Sequence, residues 1–171
     1  MFIMDDRRLS TLHRRRLPHF VPPQTEHGLT YFVTWRLRRG VPHLASDERS
    51  CVLGAINHFD AIRYDVHAAV VMDDHVHVLF TLLANHTLSR VLHAWKSFTA
   101  HELQKLGRRG SVWQDEYFDR TIFSAAEFEQ KATYIVANPA KRWPSLSGYQ
   151  WVQSAVVFTE LDVGGTGPNV P

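Results

Sequence analysis

Hydrophobic and polar positions alternate between two periods along the chain. Residues 30–38, TYFVTWRLR, are rich in β-branched and aromatic side chains and predict a strand. After Pro42, Ser46 or Asp47 is positioned to cap a helix that carries Val52, Leu53, Ile56 and Phe59 at helical spacing. Residues 64–72, YDVHAAVVM, and 75–83, HVHVLFTLL, predict two strands joined by a tight turn at Asp73-Asp74, hence a β-hairpin. Thr87 caps a long helix through Leu88, Val91, Leu92, Trp95, Phe98 and Leu103. Gly107 to Gly110 is a loop, and residues 112–122, VWQDEYFDRTI, predict a fourth, irregular strand. Ser124 caps a last helix from about residue 125 to 138, expected to stop at Pro139.

The order β-α-β-β-α-β-α sets the fold class. Its first six elements match the split β-α-β, ferredoxin-like arrangement: α+β, with a four-stranded antiparallel sheet and two helices on one face. A further helix follows at the C-terminal end. No internal repeat breaks the pattern, and 171 residues suit one domain with a single core. That domain is expected over residues 28–160. Residues 1–27 read as a basic, then Pro-rich arm, and residues 161–171, rich in glycine, as a disordered tail.

Composition narrows the function classes. No apolar run reaches the roughly 18 residues of a membrane span. Asp5, Asp6 and several arginines occupy the place of a signal peptide's apolar segment. Cys51 is the single cysteine, so no internal disulfide forms, and a reduced cytoplasmic protein is expected. Net charge is +2, unevenly spread. Residues 1–40 hold eight arginines against three acidic side chains, whereas the rest hold 11 basic and 14 acidic ones. A basic first quarter implies either an anionic partner for that end or a solvated tail.

Chemistry concentrates in two places. His75 and His77, one residue apart on a predicted strand, point the same way and lie roughly 7 Å apart at the backbone. Two imidazoles so spaced can converge on a divalent ion, or form an ordinary half-exposed pair; a metal needs a third donor. Tyr134 and Asn138, four residues apart on the last helix, share one face. Asn138 can lend an amide oxygen beside the Tyr134 hydroxyl. Alternatively, Asn138 marks a helix end before proline, and Tyr134 is a core aromatic.

These residues sit in recognisable surroundings. MDDHVHVLF resembles the metal-binding strand of HUH endonucleases, and YIVANP at 134–139 resembles the nucleophile helix of their single-tyrosine transposases. RRLPHF, YFVTWRL, VWQDEYFDR and YIVANPAKR, in that order, are similar to stretches of the REP-associated tyrosine transposases, over about residues 14–143. The resemblance implies that residues 28–160 are a catalytic domain. In it His75, His77 and Asn138 would bind Mg²⁺ or Mn²⁺, and Tyr134 would be the nucleophile. Ligand type alone also admits Zn²⁺. Asp73-Asp74 departs from the residues that relatives often carry at this turn, and Asp74 is a further candidate contact to the site.

The implied activity is cleavage and rejoining of single-stranded DNA near a hairpin, through a 5′-phosphotyrosine. Arg14, Arg15, Arg16, Arg36, Lys141 and Arg142 are candidate DNA contacts. Trp35, Trp95, Trp113 and Trp143 could stack on bases, although core packing is the commoner fate of such residues. Tyr117, in VWQDEYFDR, is the rival nucleophile. A module that binds hairpin DNA without cutting it, and a zinc hydrolase using bound water, are the competing readings. Monomer and homodimer are both compatible with the sequence, and no membrane partner is expected.

Deleting residues 1–16 is expected to weaken DNA affinity and its salt dependence together. Each lost phosphate contact should lower the slope of log affinity against log salt by about 0.7–0.9, which a salt titration of oligonucleotide binding would read. An unchanged slope would make the arm a solubility tail.

Overall fold

The computed structural model describes residues 28–156. Eight elements follow one another: β1 (Thr30–Arg36), α1 (Ser46–Asn57), β2 (Tyr64–Val71), β3 (His75–Leu82), α2 (Leu88–Lys105), β4 (Phe118–Ile122), α3 (Ala125–Arg142) and β5 (Val152–Ser154). The strands form one antiparallel sheet in the order β4-β1-β3-β2-β5. Its first four strands have the expected split arrangement. The fifth, β5, was not anticipated. It adds to the outer edge of β2, a three-residue strand too short to show a period in the sequence.

The two faces of the sheet carry separate cores. One holds Val33 and Trp35 of β1 and Val76, Val78, Phe80 and Leu82 of β3, packed with Val52 and Ile56 of α1 and Val91, Leu92 and Trp95 of α2. The other holds Phe32, Ala68, Val70, Met72 and Leu79 against Phe128, Ala132 and Ile135 of α3. Thus α1 and α2 share a face, as expected, and α3 closes the opposite one. With cover on both sides, β2 and β3 bury nearly every residue, which accounts for their near-continuous apolar runs. Trp35, Trp95 and Trp113 all lie in the first core. Trp95 Nε1 donates to the Tyr64 hydroxyl (2.8 Å) and Trp113 Nε1 to Thr99 Oγ1 (2.9 Å), whereas the buried Trp35 Nε1 has no partner among the described residues.

Three local expectations need correction. Ala45, rather than Ser46 or Asp47, is the N-cap of α1. Asp47 Oδ1 accepts from Glu48 N–H (2.9 Å) in place of the missing cap side chain, and Ala45 N–H donates to Glu48 Oε2 (2.7 Å). The strand expected from residue 112 starts only at Phe118; Trp113 makes an isolated bridge to Leu37, and the glycine loop before it ties the chain to α1 instead. Gly107, at φ 109°, turns the chain after α2. Arg108 then forks onto the Glu48 carboxylate and donates to the carbonyls of Pro42 and His43 (both 2.8 Å). Finally, α3 runs through Pro139 to Arg142. Proline offers no N–H to the preceding turn, but contacts of the last turn with the body hold it helical: Arg142 Nη2 donates to Asp73 Oδ2 (2.9 Å) and Trp143 stacks on Tyr149.

Glu48 and Arg108 are both largely buried. Arg108→Ala should therefore destabilise the protein by about 3 kcal/mol, because a carboxylate left without its partner is costly. Urea unfolding would read this, and a change under about 0.5 kcal/mol would mean that water replaces the pair.

Candidate active site

The site is built on the β1–β3 pairing. In its register Thr34 lies opposite His77 and Arg36 opposite His75. Because side chains alternate along a strand, His75 and His77 project to the α3 face while Val76 and Val78 enter the other core. Both histidines are buried, and their ring centroids are 4.7 Å apart.

One nitrogen of each ring is held. His75 Nδ1–H donates to Asp74 Oδ1 (2.6 Å). His77 Nδ1 shares a hydrogen bond with Thr34 Oγ1 (2.6 Å), whose direction follows the tautomer. With Nδ1–H as donor, Nε2 carries the lone pair. His77 Nε2 is fully buried and has no partner among the described residues. Burial first, then the charges of His75, Arg36 and Lys131, push the His77 pKa down to about 3, so the ring is neutral at ordinary pH. Burial pushes the Asp74 carboxyl up, but the His75 hydrogen bond and the charges of His75, Arg142 and Arg36 win and hold it below the usual range.

The Asp73-Asp74 turn is itself anchored. Met72 N–H donates to His75 O (2.8 Å) across the hairpin, Leu37 N–H to Asp74 O (2.9 Å) and Leu44 N–H to Asp73 O (2.7 Å). Asp73 Oδ2 accepts from Arg142 and pairs with His43 Nδ1 (2.9 Å).

α3 crosses above the histidines. Ser124 Oγ caps it as expected, accepting from Glu127 N (3.2 Å). Tyr134 packs edge-on to His77 (5.2 Å between centroids) and to Phe32 (6.0 Å), and keeps 37% of its surface exposed. Arg142, two turns later, reaches Asp73 next to the His75 end. Asn138 lies midway between these two anchors on the same stripe of α3 and is buried. Its side chain makes no hydrogen bond among the described residues. Tyr117 is apart from this group: it lies near Lys96 of α2, on the far side of the sheet.

Of the expected DNA contacts, Arg36 is exposed beside His75, and Lys141 Nζ sits 4.8 Å from the Tyr134 ring centroid. Arg142 is exposed but paired with Asp73. Arg14, Arg15 and Arg16 lie outside the described residues, as do the whole basic arm and residues 157–171. Sequence reasoning missed Lys131, whose Nζ is 4.8 Å from the Phe32 ring and whose charge bears on His77. Its spacing, three residues before Tyr134, was the available signal. It also missed Thr34, which only the strand register reveals.

Among the described residues no three His, Cys, Asp or Glu side chains gather as a metal cage, so a metal here would draw its further donors from an amide, water or a phosphate oxygen. The donor set fits one nonetheless. Two imidazoles oriented through Nδ1, one with an orphaned buried Nε2, are what a metal ligand pair requires.

The family model described as "Transposase IS200 like" matches residues 28–138, a span that includes both histidines, Tyr134 and Asn138. The chain belongs to the IS200-like transposase family. Among solved structures, this transposase is similar to a REP-associated tyrosine transposase solved bound to a REP hairpin: TM-score 0.64, 18% identity, covering 91% of this chain and 99% of that one. That likeness concerns the fold. A putative transposase from Deinococcus radiodurans R1 also matches, with TM-score 0.48 and 20% identity over 71% of this chain and 95% of the other. No curated protein matches the chain. No helix among the described residues is long and apolar enough to cross a membrane.

The His77 environment has a consequence for stability. Between about pH 6.5 and pH 3 the unfolded chain takes up a proton that folded His77 refuses. The metal-free transposase should therefore lose stability as pH falls through that window, by up to about 1.4 kcal/mol per pH unit from this group. Chemical denaturation at stepped pH, compared with His77→Asn, would read the slope. Equal slopes in both proteins would show that His77 titrates normally.

Proposed function

We propose that this transposase cleaves and rejoins single-stranded DNA near a hairpin, through a covalent bond to Tyr134, with Mg²⁺ or Mn²⁺ held by His75, His77 and Asn138. The observation that carries the reading is the orphaned Nε2 of His77, buried under the exposed Tyr134, with both histidines oriented through their other nitrogen. The hairpin partner is suggested by the relative solved with a REP hairpin.

The residues have separable roles. Asp74 and Thr34 orient the two rings, and the low pKa of His77 keeps its lone pair free of protons. When bound, the divalent ion offsets charge on a non-bridging phosphate oxygen. Arg36, Lys131 and Lys141 add positive charge along the strand's path. Tyr134 Oη attacks phosphorus, giving its proton to water. The P–O3′ bond breaks, the 3′ oxygen takes up a proton, and the 5′-phosphate stays on the tyrosine. The new ester conserves the bond, so a second 3′-hydroxyl can reverse the step and join strands.

Tyr134→Phe removes one oxygen from an exposed ring and is expected to abolish the protein–DNA adduct while leaving folding and DNA binding near normal. Tyr117→Phe should keep the adduct. His77→Ala and Asn138→Ala should each lose Mn²⁺ binding, read by calorimetry without DNA, and chelation should stop adduct formation. The test is mass spectrometry after incubation with a hairpin-bearing oligonucleotide and Mn²⁺. An adduct that survives Tyr134→Phe overturns the assignment. Strand cleavage without an adduct would favour bound water as nucleophile, and tight binding with neither would favour a non-cleaving module.

A further inference from the structure

Beyond α3 the chain folds back and leaves an open groove of about 1080 Å³. Trp143, Leu146, Tyr149 and Trp151 line it with Arg49 and Arg142, and no acidic side chain among the described residues does. The rings form a graded wall. Trp143 stacks on Tyr149 (5.5 Å, 23° between planes), and Tyr149 meets Trp151 edge-on (5.3 Å). Trp151 is buried, whereas Trp143 is only half-buried and Leu146 is exposed. The Arg49 guanidinium lies 3.8 Å from the Trp151 ring centroid, and its Nη1 donates to the Tyr149 hydroxyl (3.2 Å). That hydroxyl in turn donates to Val71 O (2.7 Å).

Arg49 has no carboxylate partner among the described residues, and its buried Nε has no acceptor. A cation fixed on aromatic rings and lacking a counter-ion suits an anion that arrives with a flat apolar body. An anionic lipid headgroup or a peptide carboxylate could also meet the guanidinium, but neither carries a flat ring beside its anion to extend the stack, whereas a nucleotide brings both. Its base would extend the ring stack, and its phosphate would meet Arg49.

Position narrows the ligand further. Arg142 borders the groove and also bonds Asp73, beside the turn that holds His75. Trp143 is nine residues past Tyr134, about 13 Å by helical rise. The groove therefore adjoins the proposed cleavage site through Arg142, yet its Trp143 end is too far from Tyr134 to hold the scissile nucleotide.

We propose that this groove binds one unpaired nucleotide flanking the cleavage position, with the base stacked on Trp143 and the phosphate on Arg49. The proposal rests on the DNA-cleaving reading for its substrate, but not on Tyr134 as nucleophile.

The test uses full-length Tyr134→Phe protein and a DNA hairpin with single-stranded flanks. Each flank position carries 5-iodo-2′-deoxyuridine in turn, and photocrosslinks are mapped by mass spectrometry. One flank position is expected to crosslink to Trp143 or Tyr149. Trp143→Ala should weaken binding about tenfold, Trp143→Phe much less, and an abasic residue at that position should cancel the Trp143→Ala loss. Crosslinks that all fall outside residues 143–151, or a Trp143→Ala loss undiminished by the abasic residue, would overturn the groove. A parallel adduct assay on wild-type protein separates the two readings. An adduct with no groove crosslink removes only the groove, a groove crosslink with no adduct removes only the nucleophile, and no DNA binding removes both.

Discussion

The pairing of β1 with β3 is the constraint on which the site depends. Its register sets Thr34 against His77 and Arg36 against His75, and the period of two then decides which face each of them sees. A slip of one residue would send Val76, Val78 and Phe80 to the α3 face and bury two imidazoles beside Trp35 and Trp95. The two cores guard against this slip. Val33, Trp35, Val76, Val78 and Phe80 belong to the α1–α2 side, while Phe32 and Leu79 belong to α3. The buried histidines thus owe their position to apolar neighbours on the same strand.

A second layer of polar contacts ties the last turn of α3 to the hairpin. Asp73 joins Arg142 and His43, and Asp74 joins His75. The tip of the β2–β3 hairpin is therefore held from the β1–α1 connection, from α3 and from its own strand. A movement of α3 would be felt at the His75 ring through Arg142 and the adjacent turn. The basic residues are arranged in keeping with this: Arg142 is partly spent on structure, whereas Arg36, Lys131 and Lys141 stand around Tyr134 and the histidines without a salt bridge among the described residues.

Pro139 illustrates how tertiary contacts override a local rule. Proline inside a helix costs about 3 kcal/mol or more, because a hydrogen bond is lost and the ring crowds the preceding turn. The helix continues regardless, as Trp143 N–H donates to Pro139 O (2.8 Å), Arg142 reaches Asp73 and Trp143 stacks on Tyr149. Stopping at Asn138 would have left Lys141 away from Tyr134 and removed one wall of the aromatic groove.

The chain itself determined the elements with strong periods, the split β-α-β order, the shared direction of His75 and His77, and the common face of Tyr134 and Asn138. Each depends only on residues close in sequence, where strand alternation and helical spacing act alone. Tertiary structure alone decided that α3 covers the histidine face, that Tyr134 lies against His77, and that Thr34 holds the Nδ1 atom of His77. It likewise decided that β5 joins β2, that α3 passes Pro139, and that Trp143, unlike Trp35, Trp95 and Trp113, faces an open groove. These depend on pairings between segments tens of residues apart, whose partners are chosen by packing and by the cost of burying polar atoms unpaired rather than by any local pattern.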